Sequence, residues 1–223
     1  MIDPHGASMI EERGAPLARA KQTVILLHGR GASSNDMFGL SEYIGIPEIA
    51  YVAPTAAGGS WWPTSFLAAH AEIEPYLNSA LSVVERCVAR VTEEGGTAEN
   101  TTVLGFSQGA CLALEYAARA TRSLRAGIGF SGGLIGTADK SGAPTDALYG
   151  FAPKQFDYER RRDGMRVFIG CHERDPHIPM ARIQASAEVF TKLGAEVKLQ
   201  VYPGAGHGIV EEEIRYLRAL LNQ

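Results

Sequence analysis

The sequence predicts an α/β domain built on a mostly parallel central sheet with helices on both faces. Three observations predict it. Short apolar runs alternate with longer stretches of helical periodicity. Most of those runs are continuous rather than alternating, as strands are when both faces are covered. Glycines and prolines, 25 and 11 in 223 residues, punctuate the junctions without any Gly-X-Y period.

Six strands are expected, in order. Residues 23–27 (Thr-Val-Ile-Leu-Leu) are stopped by His28 and Gly29, and residues 50–53 by Pro54. Residues 101–106, 126–130 and 166–171 follow, the middle one weakened by its glycines. Residues 196–202 alternate clearly, which predicts an edge strand. Four helices are expected between them. Residues 69–94 carry Ile73, Leu77, Leu81, Val84 and Val88 on one face. Residues 108–120 are rich in alanine and leucine. Residues 179–193 end at Gly194, a helix stop. Residues 209–221 open with Glu211, Glu212 and Glu213, where the helix dipole favours acid. Right-handed crossovers then place helices on both sheet faces. Residues 1–22 read as an N-terminal extension and residues 23–223 as a single domain. The long connections 55–68 and 136–164 are expected to be functional or mobile.

Composition narrows the classes. A chain 45% hydrophobic and 21% charged has the make-up of a folded domain, not a disordered one. With 21 basic and 25 acidic residues, its net charge of −4 gives no general attraction to nucleic acid or anionic lipid. No apolar run approaches the roughly 18 residues that span a bilayer. Residues 1–22 lack the apolar centre of a signal peptide. Cys87, Cys111 and Cys171 are odd in number and widely spaced, which predicts reduced thiols in a cytoplasmic protein.

In an open parallel sheet, ligands bind beyond the carboxyl ends of the strands. Residues 105–109 (Gly-Phe-Ser-Gln-Gly) follow the third strand and match G-x-S-x-G, the nucleophile elbow. Small residues on either side let strand and helix approach around a serine on a sharp turn. Residues 129–133 match as well, through Ser131. Ser107 is favoured because a strong helix former follows it, and a helix N-terminus aims backbone donors at the site. Ser131 is followed by glycines and loop, and reads as a turn residue.

A serine needs a base, and the base an orienting carboxylate. His207 lies in a glycine-rich turn between the last strand and the last helix. Asp175 lies four residues past Cys171, at the end of the fifth strand. His172 and His177 are each within three residues of Asp175, too close to be held by it while reaching Ser107. His177 reads as a helix-entry residue or rim contact. The oxyanion donors expected are the backbone N–H groups of Gln108 and Arg30. His28 reads as a packed support for the loop after the first strand.

The ordered set formed by residues 27–32 (Leu-His-Gly-Arg-Gly-Ala), 105–109, 131–133, 170–179 and 206–207 resembles the phospholipase/carboxylesterase family of α/β-hydrolases. That family includes acyl-protein thioesterases and small carboxylesterases. The resemblance runs from about residue 23 to the C-terminus. It implies an α/β-hydrolase fold without a large cap domain, and a serine hydrolase with Ser107, Asp175 and His207 as its triad. The expected activity is hydrolysis of small carboxylic esters through an acyl-enzyme. An acyl-protein thioesterase, a lysophospholipase and a non-catalytic binding protein are the rival readings. No metal or other cofactor is expected. The partners expected are a small-molecule ester and, at most, a second copy of the chain in a homodimer. Trp61, Trp62, Phe66 and Phe38 are expected to line the substrate pocket, with Tyr149 and Phe151 within reach, and one of the two tryptophans is expected in the core.

Overall fold

The computed structural model describes residues 3–139 and 142–223. Its strands are β1 Ile10–Gly14, β2 Gln22–Leu27, β3 Ile49–Pro54, β4 Thr101–Phe106, β5 Ala126–Phe130, β6 Ala138–Asp139, β7 Lys154–Gln155, β8 Arg166–Arg174 and β9 Glu196–Ala205. Its helices are α1 Ser34–Ile44, α2 His70–Glu93, α3 Gln108–Arg119, α4 Met180–Lys192 and α5 Glu211–Leu221.

Seven strands form one sheet in the order β1-β3-β2-β4-β5-β8-β9. All neighbours are parallel except β1, which runs antiparallel to β3. Every residue of β2, β3 and β5 is buried, which explains their unbroken apolar runs. The alternating β9 lies at the edge, as its pattern predicts. One sheet face is covered by α2, α3 and α4, with Val84, Leu112 and Phe190 in the core. The other is covered by α1 and α5, through Phe38, Leu40, Ile214 and Leu217. Among the described residues, no helix is long and apolar enough to cross a membrane.

Four elements depart from the expected list: β1, α1 and the short strands β6 and β7 within the connection 136–164. Residues 1–22, set apart as an extension, supply the edge strand β1. The segment before it is also fastened down: the His5 N–H donates to Ser79 Oγ at 2.9 Å, and the ring lies edge-on to Trp61. β1 reads Ile-Glu-Glu-Arg-Gly, charged because it is an outer strand with little burial. Helix α1 is marked by its caps rather than by a long apolar face. The Ser33 N–H donates to Asp36 Oδ2 at 2.9 Å, and Gly45 closes the helix at φ 65°.

The connection 136–164 is folded onto the body around one buried carboxylate. Glu115 of α3 accepts from Tyr158 Oη at 2.8 Å, from the Ile135 N–H at 2.8 Å and from Arg119 Nε at 2.6 Å. Residues 140–141 of that connection, and residues 1–2 of the N-terminal segment, lie outside the described residues.

Candidate active site

Three strand ends converge. Ser107 follows β4, Asp175 follows β8, and His207 sits on the turn after β9. His207 Nε2 lies 2.8 Å from Ser107 Oγ, and Nδ1 lies 2.7 Å from Asp175 Oδ2. The ring is therefore held at both nitrogens, by residues 100 and 32 positions away.

The local fold explains each placement. Ser107 has φ 55° and ψ −118°, a conformation costing about 1–3 kcal/mol outside glycine. Neighbouring bonds hold it there. Its N–H donates to Phe130 O at 2.9 Å, and its carbonyl accepts from the Cys111 N–H at 3.1 Å. Asp175 is almost completely buried. Its Oδ1 accepts from the N–H groups of His177 and Ile178, at 2.8 and 3.1 Å. Burial pushes its carboxyl up. Hydrogen bonds from His207, His177 and Ile178 outweigh that push and hold it below the ordinary carboxylate value. An ionised Asp175 fixes Nδ1 as the donor, which leaves Nε2 as an acceptor facing the serine hydroxyl.

Ser131 also sits at a strand end with a left-handed φ of 54°. Its Oγ is buried and finds no partner among the described residues, and no helix follows it. His177 lies on the rim, its ring edge-on to His207 at 4.9 Å. His28 is fully buried, its Nδ1–H donating to Gly29 O at 2.7 Å and its Nε2 accepting from the Ala56 N–H at 3.0 Å. Burial lowers its pKa, so the ring is a neutral prop.

The N–H groups of Arg30 and Gln108 have no acceptor among the described residues. Both side chains do work that the sequence does not reveal. Gln108 Oε1 accepts from the Trp61 N–H at 2.9 Å, and its Nε2 donates to Trp62 O at 2.8 Å. Arg30 donates to Ser60 Oγ, Pro63 O and Thr64 O at 3.0, 3.1 and 2.6 Å. Together they pin the tryptophan loop to the elbow.

An open cavity of about 910 Å³ lies over Ser107. Met37, Leu40, Trp62, Phe66, Phe106 and Ile178 form its apolar walls. Two of the expected pocket residues are elsewhere. Trp61 is wholly buried behind the loop, its indole N–H donating to His28 O at 2.9 Å. Phe38 points into the core under α1, with the Arg13 guanidinium 4.5 Å from its ring centre. Met37 and Leu40 of α1 take its place, because the cavity meets the helix face beside Phe38. Tyr149 and Phe151 do not line the cavity; Tyr149 Oη instead donates to the main-chain carbonyl of Asp175 at 2.5 Å. Among the described residues, no group of three or more His, Cys, Asp or Glu is arranged to hold a metal ion.

A mostly parallel sheet of this order, with a strained serine between a strand and a helix, defines an α/β-hydrolase. The family model for phospholipases and carboxylesterases matches residues 10–148, and the chain belongs to that family. The crystal structure of a phospholipase/carboxylesterase from Dyadobacter fermentans superimposes with a TM-score of 0.84 at 36% identity, covering 97% of both chains. Acyl-protein thioesterase 1 of Saccharomyces cerevisiae is 25% identical over 94% of this chain and 95% of its own. A probable carboxylesterase of Oryza sativa is 25% identical over 87% and 85%.

Proposed function

We propose that the protein is a serine hydrolase that cleaves small carboxylic esters through an acyl-enzyme intermediate, with Ser107, His207 and Asp175 as its triad. The observation that carries this reading is the continuous chain from Asp175 Oδ2 through both nitrogens of His207 to Ser107 Oγ. His207 Nε2 takes the hydroxyl proton as Oγ attacks the ester carbonyl. The tetrahedral oxyanion is received by the N–H groups of Gln108 and Arg30, each worth about 3–4 kcal/mol in such sites. The C–O bond to the alcohol breaks, and His207 hands its proton to the departing oxygen. Water, deprotonated by the same nitrogen, then releases the acid and restores the serine. Asp175 keeps the ring in one tautomer and balances the imidazolium. The apolar walls favour an apolar acyl or aryl group.

A fluorophosphonate probe tests the reading directly. Wild type is expected to label at Ser107, and Ser107→Ala to lose both label and ester hydrolysis. Labelling that survives the substitution transfers the role to another serine. Absence of labelling in wild type favours a binding protein on a hydrolase scaffold. The yeast relative is a thioesterase by name, which supports a second reading for the same triad. Paired ester and thioester substrates with one acyl chain separate the two by their kcat/KM ratio.

A further inference from the structure

The turn that carries His207 rests on a carboxyl group that the triad does not use. Glu213, in the first turn of α5, is buried to 1% exposure. Its Oε2 accepts from the Val210 N–H at 2.9 Å, three residues after His207. That bond closes the turn between the histidine and the helix. Its Oε1 is buried and has no hydrogen-bond partner among the described residues.

The sheet makes room for this group. A Cβ on Gly170 of β8 would stand 2.1 Å from Glu213 Oε1, so only glycine there admits the carboxyl. On the same end of the sheet His172 Nδ1 and Tyr202 Oη are also buried without partners among the described residues. The His172 ring in turn packs beneath the His207 turn. A Cβ on Gly206 would lie 2.8 Å from its Nε2.

We propose that Glu213 is the positioning residue for His207: its carboxyl closes the turn that presents the imidazole to Ser107, and it does so without charge. This rests on the reading of His207 as the catalytic base. The titratable groups around Glu213 are Cys171 from β8, Tyr202 from β9 and Glu212 on its own helix. No cation pairs with it among the described residues. An ionised carboxylate there would be buried with one backbone donor and no counter-charge. Burial pushes its pKa from 4.5 up to about 8, with Glu212 adding to the rise and the Val210 N–H opposing it. Ionisation above that value is expected to drive the carboxylate toward water and pull the turn, and His207 with it, out of register.

Glu213→Gln is the discriminating variant. The amide oxygen keeps the Val210 bond, and the NH₂ group replaces the acid hydroxyl. Hydrolysis of p-nitrophenyl acetate is followed from about pH 6 to about pH 9, with melting temperatures at each pH. Wild type is expected to lose kcat with a midpoint near 8, and the glutamine variant to keep its neutral-pH rate without that alkaline loss. Glu213→Ala is expected to lose about tenfold in kcat with little change in KM, because the cavity walls are untouched. The folded pKa lies above the unfolded one, so the acid destabilises the fold increasingly from pH 4.5 to about 8. Glu213→Gln is therefore expected to melt higher than wild type at pH 8, with the gap closing toward pH 4.5. An alkaline loss that persists in the glutamine variant, or an alanine variant as fast as wild type, overturns the role of Glu213. His207→Ala run alongside separates the causes: if it stays active, the base assignment itself fails.

Discussion

A Cβ placed on Gly105 would stand 2.1 Å from the carbonyl oxygen of Gly109. One placed on Gly109 would stand 2.0 Å from the carbonyl of Leu27. The strand before Ser107 and the helix after it thus touch backbone to backbone, and the neighbouring strand touches the same helix. Both contacts involve main chain, which cannot swing aside. Gly105→Ala and Gly109→Ala are each expected to cost about 3 kcal/mol or more, the upper range for overpacking. Urea melts measure this, and a variant as stable as wild type would remove the close-packing account of the motif.

Asp175 is bonded on both oxygens, which makes Asp175→Asn informative. The amide oxygen can serve the His177 and Ile178 N–H groups, leaving NH₂ toward His207. Nδ1 must then accept, and Nε2 carries the hydrogen that should come from the serine. Loss of kcat by about 10⁴-fold is expected with the fold intact, as for the same change in other triads. The carboxyl also bears on acid stability. Its folded pKa lies below the ordinary 3.8, so its contribution is whole above that pH and fades as pH falls through the folded value. A wild-type melting temperature that declines below about pH 4 more steeply than that of the asparagine variant checks the sign.

The two adjacent tryptophans are expected to separate in assay. Trp62 faces the cavity and Trp61 the core. Trp62→Ala should shift the preferred acyl chain length in a p-nitrophenyl ester series. Trp61→Ala should lose about 3–5 kcal/mol of stability, the usual cost of emptying a buried aromatic site. Identical chain-length profiles for wild type and Trp62→Ala would detach that ring from substrate.

Tyr149 is held at φ 53°, outside the usual range for its residue type, while its hydroxyl reaches the Asp175 carbonyl. Tyr149→Phe removes one hydrogen bond and nothing else. A loss of up to about tenfold in kcat, with KM and melting temperature nearly unchanged, is expected. A larger fall in stability than in rate would make the contact a fastening for the 136–164 connection alone.

Local sequence carried the architecture because its signals are local. The continuous runs of β2, β4 and β8 mark strands covered on both faces, and the alternation of β9 marks an edge. Order along the chain also singled out Ser107, Asp175 and His207, since each directly follows a strand that delivers it to the same sheet end. Charge hid β1, whose outer position asks for no apolar run. Only the folded chain decided which of two neighbouring tryptophans faces the cavity, and that Met37 rather than Phe38 does so, because one residue's step turns a helical side chain by about 100° and redirects one in a loop. Only it revealed the grip of Gln108 and Arg30 on the tryptophan loop and the seat of Glu213 over Gly170, because those contacts join residues distant in sequence, which no local pattern encodes.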